Sequence, residues 1–261
     1  MSDTRSLRGL LAVGVSVSVL AAFATPATAQ QASSNANVIE ELVVTAQKKE
    51  EALQDVPIAV SAFDQNALEK SKIDGGPNLV LAVPNVNFSK GNFTGYNFQI
   101  RGIGSKVVAA SADAGTGIAL NNAPLIANNL FETEFYDMER VEVLRGPQGT
   151  LYGRNATGGV VNLITAKPKD VFEANIRAEY GNYDSKKLRG MLNVPLGDMF
   201  ALRVAGAYMN RDGFGKNIVT DNDADDRDLF GARATLAFHP TDRLRTWVLW
   251  DHFEEDDNRS R

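Results

Sequence analysis

Residues 138–168 constrain this chain more than any other stretch of it. They read MERVEVLRGPQGTLYGRNATGGVVNLITAKP, with two alternating strand-like runs, Arg140–Leu144 and Val160–Ile164, around a loop holding five glycines. Those glycines are Gly146, Gly149, Gly153, Gly158 and Gly159. Glycine serves where φ must be positive or where two backbones approach closely. Pro147 sets a bend just after Gly146. The segment therefore folds tightly on itself and leaves little room for a bulky ligand. A phosphate-binding loop is excluded, because no Gly-Lys-Ser/Thr follows and Gly153 is followed by Arg154.

The N-terminus carries the second constraint. Arg5 and Arg8 precede an apolar run from Gly9 to Phe23, followed by Ala27-Thr28-Ala29. A positive start, a short apolar core and an A-x-A end make a cleaved export signal, with cleavage expected after Ala29. The run falls short of the ~20 residues that a membrane-spanning helix needs. Four parts are expected: an export signal (1–29), a flexible N-terminal segment (30–52), a mixed domain (53–168) and a strand-rich region (169–261).

Composition removes several function classes. A net charge of −5 and 8% aromatic residues give no nucleic-acid-binding surface. There is no cysteine, so disulfides and thiolate metal sites are excluded. Two histidines, His239 and His252, leave little material for catalysis or zinc, and no Gly-x-Ser-x-Gly elbow is present. The chain reads as a non-enzyme without a cofactor. The acidic run Asp221–Asp226 begins like a calcium loop, but Asp226 stands where that loop needs glycine and Ala232 where it needs glutamate. It reads as a solvated loop.

Between Leu53 and Ile164 short helices and strands alternate, the pattern of a small α+β domain. Pro57 places Val56–Phe63 at a sheet edge. Asp64 is expected to cap a helix through Ser71 with Leu68 facing the core, and Asn78 to cap a second one that stops at Pro84. Phe98–Ile103 and Gly117–Leu120 read as strands. From Glu173 the pattern changes to period two: Ala174, Ile176, Ala178 and Tyr180 alternate with polar residues, and three later runs do the same. A fifth run, Leu244–Phe253, is apolar on both sides, and its faces stay unassigned. One apolar and one polar face suit either a soluble sandwich or a transmembrane barrel. The short second and fourth connections and the long third one favour the barrel. The short first connection fits less well. Five strands cannot close a barrel, so the chain reads as the first part of a longer one.

The run Arg145-Gly146-Pro147…Gly149…Tyr152-Gly153…Gly158-Gly159…Asn162 resembles the plug domain of TonB-dependent outer-membrane receptors, and Phe98–Gly104 resembles that family's Ile-Arg-Gly strand. The resemblance implies an α+β plug followed by the first strands of an antiparallel transmembrane β-barrel, 22-stranded in the family and truncated here. It implies structural roles in the plug for Arg101, Gly102, Glu142, Arg145, Gly146, Pro147, Gly149, Tyr152, Gly153, Gly158, Gly159 and Asn162. Arg101, Arg140, Glu142, Arg145 and Arg154 are expected to hold the plug in a polar lumen. Asn121-Asn122-Ala123 replaces the family's Asp-Gly-Val turn and loses its acid.

The β-branched stretch before the domain then resembles a TonB box at about residues 39–46: Glu41, Leu42, Val43, Val44, Thr45 and Ala46. Such a segment binds TonB by strand addition, where backbone hydrogen bonds supply the affinity. The implied function is active import of a scarce ligand across the outer membrane. Siderophores, haem, cobalamin, oligosaccharides and metal chelates all remain open. Ligand contacts are expected from the plug apices, with Phe93 and Tyr96 stacking and Asn128 and Asn129 hydrogen-bonding. Outer-membrane lipid is the implied surrounding. A signalling receptor and a soluble secreted adhesin or lectin are the alternatives.

Overall fold

The computed structural model describes residues 42–46, 48–49, 51–89, 97–104, 114–125, 133–216, 218, 223–241 and 243–256. Strand β1 (Val43–Val44) pairs antiparallel with β2 (Glu51–Ala52). Strand β3 (Ala59–Asp64) runs directly into helix α1 (Gln65–Lys70). Asp64 caps that helix as expected: its carboxylate accepts the Ala67 N–H at 2.6 Å, and Leu68 is buried. The second expected helix is a 3-10 turn, Gly76–Leu81, and Asn78 does not cap it. Gly75 holds the cap position, and Pro77 occupies the first turn, where a missing N–H leaves no bond unmade.

Two tight hairpins follow from backbone chemistry. The expected strand Phe98–Ile103 is folded in two, as β5 (Asn97–Ile100) and β6 (Ile103–Gly104), with β4 (Val86–Ser89) beside β5. Arg101 and Gly102, at φ 54° and 83°, form the two-residue turn whose twist matches its flanking strands. Asn121 and Asn122 repeat it at φ 49° and 67°, joining β7 (Thr116–Leu120) to β8 (Ala123–Pro124). Asparagine tolerates this left-handed backbone because its short side chain can hydrogen-bond locally.

The glycine-rich segment forms β9 (Met138–Arg145), a short helix α2 (Gly149–Tyr152) and β10 (Gly159–Thr165). The main sheet of this domain is ordered β3-β9-β10-β7-β8, with β3 at an edge. The β10–β7 pair is parallel and the others are antiparallel. Gly159 has φ 145°, and a Cβ there would lie 2.1 Å from the Leu144 carbonyl oxygen, so only glycine fits.

The two faces of this sheet differ. Val141, Val143, Val161, Leu163 and Ile118 point one way into a dry core with Leu68, Leu79, Phe98 and Phe135. Leu144, Val160 and Ala119 point the other way, beneath Val44, Ala46, Val56 and Tyr152. Alternation along β9 and β10 brings Arg140, Glu142 and Asn162 to that second face, buried beside it.

The second large sheet is β11 (Glu173–Gly181), β12 (Ser185–Pro195), β13 (Phe200–Arg211), β16 (Arg227–Thr241) and β17 (Leu244–Glu255), in that order and wholly antiparallel. All five expected strands are present. Its polarity is inverted. Ile176, Leu188, Val204, Tyr208 and Phe230 are exposed, while Arg203, Arg233 and Thr235 are buried on the opposite face and Asn193 is buried against the connection at Lys169 and Val171. The register assigns the faces of β17: Trp247, Leu249 and Asp251 stand opposite the inward Ala237, Thr235 and Arg233, whereas Val248 and Trp250 point outward.

Aromatic rows bound the outward apolar band. Phe200 and Phe238 stack at 4.7 Å near one end, and Tyr208 and Phe230 are paired near the other. Phe200 and Tyr208 belong to the same strand. At ~3.4 Å per residue and a tilt of ~40° they are separated by about 21 Å, close to the ~25 Å apolar band of outer-membrane barrels. Connections at the Phe200 end are short, Leu196–Met199 and 242–243. At the other end, 182–184 is short and 212–226 is long, with β14 (Gly215–Lys216) and β15 (Asp223–Ala224) pairing inside it. No helix among the described residues is long and apolar enough to cross a membrane.

Candidate functional site

The segment Leu42–Ala46 is seated on the second face of the first domain. Val44 and Ala46 are fully buried, because alternate side chains of an extended segment share one face. One backbone edge is paired: Val43 and Val44 stand opposite Ala52 and Glu51, and the Leu42 carbonyl accepts the Leu53 N–H at 2.9 Å. On the other edge the Thr45 N–H donates to Glu142 Oε1 at 2.7 Å. The Thr45 hydroxyl donates to the same oxygen at 3.1 Å.

Glu142 is the hub beneath. It is fully buried and accepts Arg140 Nε at 2.7 Å and Asn162 Nδ2 at 3.5 Å. Arg140 Nη2 also donates to the Thr45 hydroxyl at 3.1 Å. The network extends through Asn162 to Asn122, whose Oδ1 accepts Asn162 Nδ2 at 2.9 Å and the Tyr152 hydroxyl at 3.4 Å. Burial first, and the nearby Glu142 charge second, push the Tyr152 phenol up to about 12, so it stays a neutral donor. Lys48 lies over the Tyr152 ring, 5.3 Å from its centre. A buried carboxylate with these partners is satisfied by geometry, and removing one partner leaves an uncompensated group.

A second set of polar contacts joins the first domain to the strand sheet. Arg203 forks onto Asp137 through Nε at 2.8 Å and Nη2 at 2.5 Å. Arg189 bonds Asp74 at 2.9 Å and Glu134 at 2.6 Å, and Lys187 pairs with Asp74. Arg177 pairs with Glu69 on α1. Tyr136 inserts its ring against Gly231, where an added Cβ would lie 2.9 Å from the ring, with Arg233 stacked over it at 4.7 Å. Burial disfavours the Asp74 carboxylate, but hydrogen bonds and charge from Lys187 and Arg189 outweigh it and hold its pKa below the ordinary carboxylate range.

The residues expected from sequence divide into three groups. Leu42, Val43, Val44, Thr45 and Ala46 converge with Glu142, Tyr152 and Asn162, while Gly146, Gly153 and Gly159 take positive φ in the loop beside them. Arg101 and Gly102 form the β5–β6 turn, Pro147 follows Gly146, Gly149 opens α2, and Gly158 packs so closely on Ile103 that an added Cβ would lie 2.8 Å from it. Glu41, Phe93, Tyr96, Asn128 and Asn129 lie outside the described residues. Of the residues expected to hold the plug in a polar lumen, Arg140 and Glu142 pair with each other within the plug. Arg101 is exposed, the Arg145 Nε is buried without a hydrogen-bond partner, and Arg140 turns to Glu142 and Glu139. In the pairs Arg203–Asp137, Arg189–Asp74, Arg189–Glu134, Lys187–Asp74 and Arg177–Glu69 the domain supplies the carboxylate and the strand the cation, whereas Lys72–Glu179 runs the other way. A signal was available: Arg177, Arg189, Arg203 and Arg233 each stand on the polar face of their strand.

Residues 52–160 match the family model described as the TonB-dependent receptor plug domain. The iron-regulated outer membrane virulence protein of Vibrio cholerae is 29% identical over 210 residues, 77% of this chain and 32% of that protein. The pesticin receptor of Yersinia pestis is 27% identical over 223 residues, 84% of this chain and 31% of its own length. The chain thus spans about a third of the curated relatives it matches. The crystal structure of the ferric yersiniabactin uptake receptor of Yersinia pestis superposes with a TM-score of 0.63 at 22% identity, covering 71% of this chain and 29% of that one. The ferripyoverdine receptor of Pseudomonas aeruginosa superposes with a TM-score of 0.68 at 17% identity, covering 82% and 27%. Residues 52–160 are thus a TonB-dependent receptor plug domain, and the chain as a whole shares its fold with the two solved receptors.

Proposed function

We propose that this chain carries the TonB-responsive end of an outer-membrane importer, and that Leu42–Ala46 is its TonB box. The observation that carries the reading is the seating of that segment. It is already a strand, with one edge paired to residues 51–53 and the other closed at Thr45 by Glu142. Strand addition needs free backbone donors and acceptors along one edge. In this seat the segment offers TonB few of them. Ligand capture on the outer side releases it, TonB pairs with it, and the pull transmitted through β2 and β3 shifts the plug. The contacts between plug and strands are charged and hydrogen-bonded, so the plug moves without uncovering an apolar core.

The cargo proposed is a scarce nutrient, a siderophore-type iron chelate in first place because two relatives carry iron-linked names. Val43 is the residue for the test, since it is 44% exposed whereas Val44 is fully buried. Proline at 43 removes a ladder donor without emptying the core. In the full-length receptor, Val43→Pro is expected to abolish receptor-dependent growth on ferric chelates while whole-cell ligand binding persists. Growth equal to the wild type overturns the assignment.

A further inference from the structure

A cavity of about 220 Å³ lies where the seated segment, the plug and strands β16 and β17 meet. Thr45 and Lys48 line it from the segment, Asn122, Arg140 and Lys167 from the plug and its connection, and Trp247 from β17. It sits at the short-turn end of the strands, the end that faces the periplasm in outer-membrane barrels. Pockets that enclose whole organic ligands start at ~300 Å³, so this one suits a small ion.

Charge in the cavity is one-sided. Among the described residues no carboxylate lines it, although the whole chain carries a net charge of −5. Among the described residues, too, neither Lys48 nor Lys167 is paired with a carboxylate. Each ammonium lies over a ring instead, Lys48 5.3 Å from the centre of Tyr152 and Lys167 5.1 Å from that of Trp247. A ring face attracts the cation and leaves N–H groups free to donate. Arg140 is buried, and three of its five N–H groups go to Glu142, Glu139 and Thr45. The rest remain for the cavity it lines. A neighbouring cavity of about 190 Å³ shares Lys167 and Trp247 and adds Arg245 and His239. Its one carboxylate, Asp170, already meets His239 at 3.2 Å. The cationic rim therefore continues past the first cavity.

We propose that this cavity is an oxyanion site, in which a phosphate-class ion bridges Lys48 to Lys167 and Arg140 and so holds the segment in its seat. Both lysines are exposed, so an ion on the aqueous side reaches them while the plug is at rest. Several charge-assisted hydrogen bonds converging on one ion favour a tetrahedral oxyanion over chloride. The inference regulates the segment assigned above as the TonB box and rests on that reading, but its test contains no TonB.

Full-length receptor in detergent is titrated with inorganic phosphate and with glycerol phosphate at constant ionic strength, and binding is followed by calorimetry. Saturable binding is expected, and the tighter of the two identifies a free ion or an ester as the source. Lys48→Gln and Lys167→Gln should each weaken it about tenfold, the scale of one lost charge-assisted bond. Lys49→Gln removes an exposed lysine that pairs with Glu51 outside the cavity, and should leave binding unchanged. A second measurement reads the seat. Val44 is fully buried, and this chain has no cysteine of its own, so a thiol at Val44→Cys reports release of the segment. Its labelling by maleimide should slow about tenfold at phosphate about ten times its Kd, since an ion bound only to the seated segment stabilises it by mass action. Lys48→Gln should abolish that slowing.

No saturable binding, binding intact in Lys48→Gln or Lys167→Gln, an equal loss in Lys49→Gln, or labelling indifferent to phosphate overturns the proposal. The titration decides the matter even where Val44→Cys fails to fold. Growth of the Val43→Pro variant tests the TonB-box assignment separately from all of these outcomes.

Discussion

The plug sheet and the strand sheet use the same period-two alternation with opposite consequences. In the plug, Val141, Val143, Val161 and Leu163 turn inward to a dry core, and even the polar face of β9 is sealed under the N-terminal segment. In the strand sheet, Val204, Leu188 and Trp250 turn outward, and Arg203 and Arg233 turn inward. The difference teaches that alternation reports two environments without saying which of them is the interior. One sheet was built for water outside and oil within, the other for lipid outside and a charged partner within.

The comparison breaks first in the plug core. Val161→Asp buries an unpaired charge at a position with no exposure, and a loss above ~4 kcal/mol is expected. Urea unfolding of the plug, followed by protease sensitivity in the membrane-inserted protein, checks it. A variant near wild-type stability would mean that the core is not dry.

Next comes the outward face of the strand sheet. Val204 lies midway between the Phe200 and Tyr208 rows, and Val204→Arg should cost ~2–4 kcal/mol of folding into a bilayer. On a water-facing sheet the same change would stay within ~0.5 kcal/mol. Folding titrations into lipid vesicles separate the two.

The contact between the regions gives a smaller effect. Gly231→Ala places a methyl group 2.9 Å from the Tyr136 ring and should weaken plug seating by ~1–3 kcal/mol, with the barrel unaffected. Tyr136→Ala in the same background should relieve the clash; additive losses in a double-mutant cycle would disprove contact between them.

The smallest effect is pH-dependent. The folded Asp74 pKa is depressed, so its contribution is present above the unfolded value, ~3.9, and is lost as pH falls through the lowered folded one. Plug release in urea should therefore ease on acidification below about pH 4 in the wild type. Asp74→Asn should flatten that dependence. An unchanged slope in the variant removes Asp74 from the grip.

Much of this architecture was readable before any coordinates. The Asp64 cap, the edge position of β3, the two strands around the glycine loop and all five later strands follow from local chemistry: a side chain reaching three residues on, a missing N–H, an alternating period. The failures were equally local. Asparagine favours the cap position, which points to Asn78, yet Gly75 caps the turn three residues earlier and Pro77 sits in its first turn. Phe98–Ile103 was read as one strand because only the backbone reveals that Arg101 joins Gly102 at positive φ. At the site, Thr45 and Glu142 were each singled out separately. Nothing in a linear reading joins two residues 97 positions apart.

The sequence by itself determined where strands begin and end, which residue types alternate along them, and which short motif marks the plug. Those properties reside in dihedral preferences and in the spacing of neighbours along the chain. Only the tertiary structure decided which face of each sheet is the interior, that carboxylates of the plug meet cations of the wall, and that Glu142 closes the free edge at Thr45. Each of these depends on what distant segments place opposite one another, and burial is a property of the assembled surface rather than of any stretch of chain.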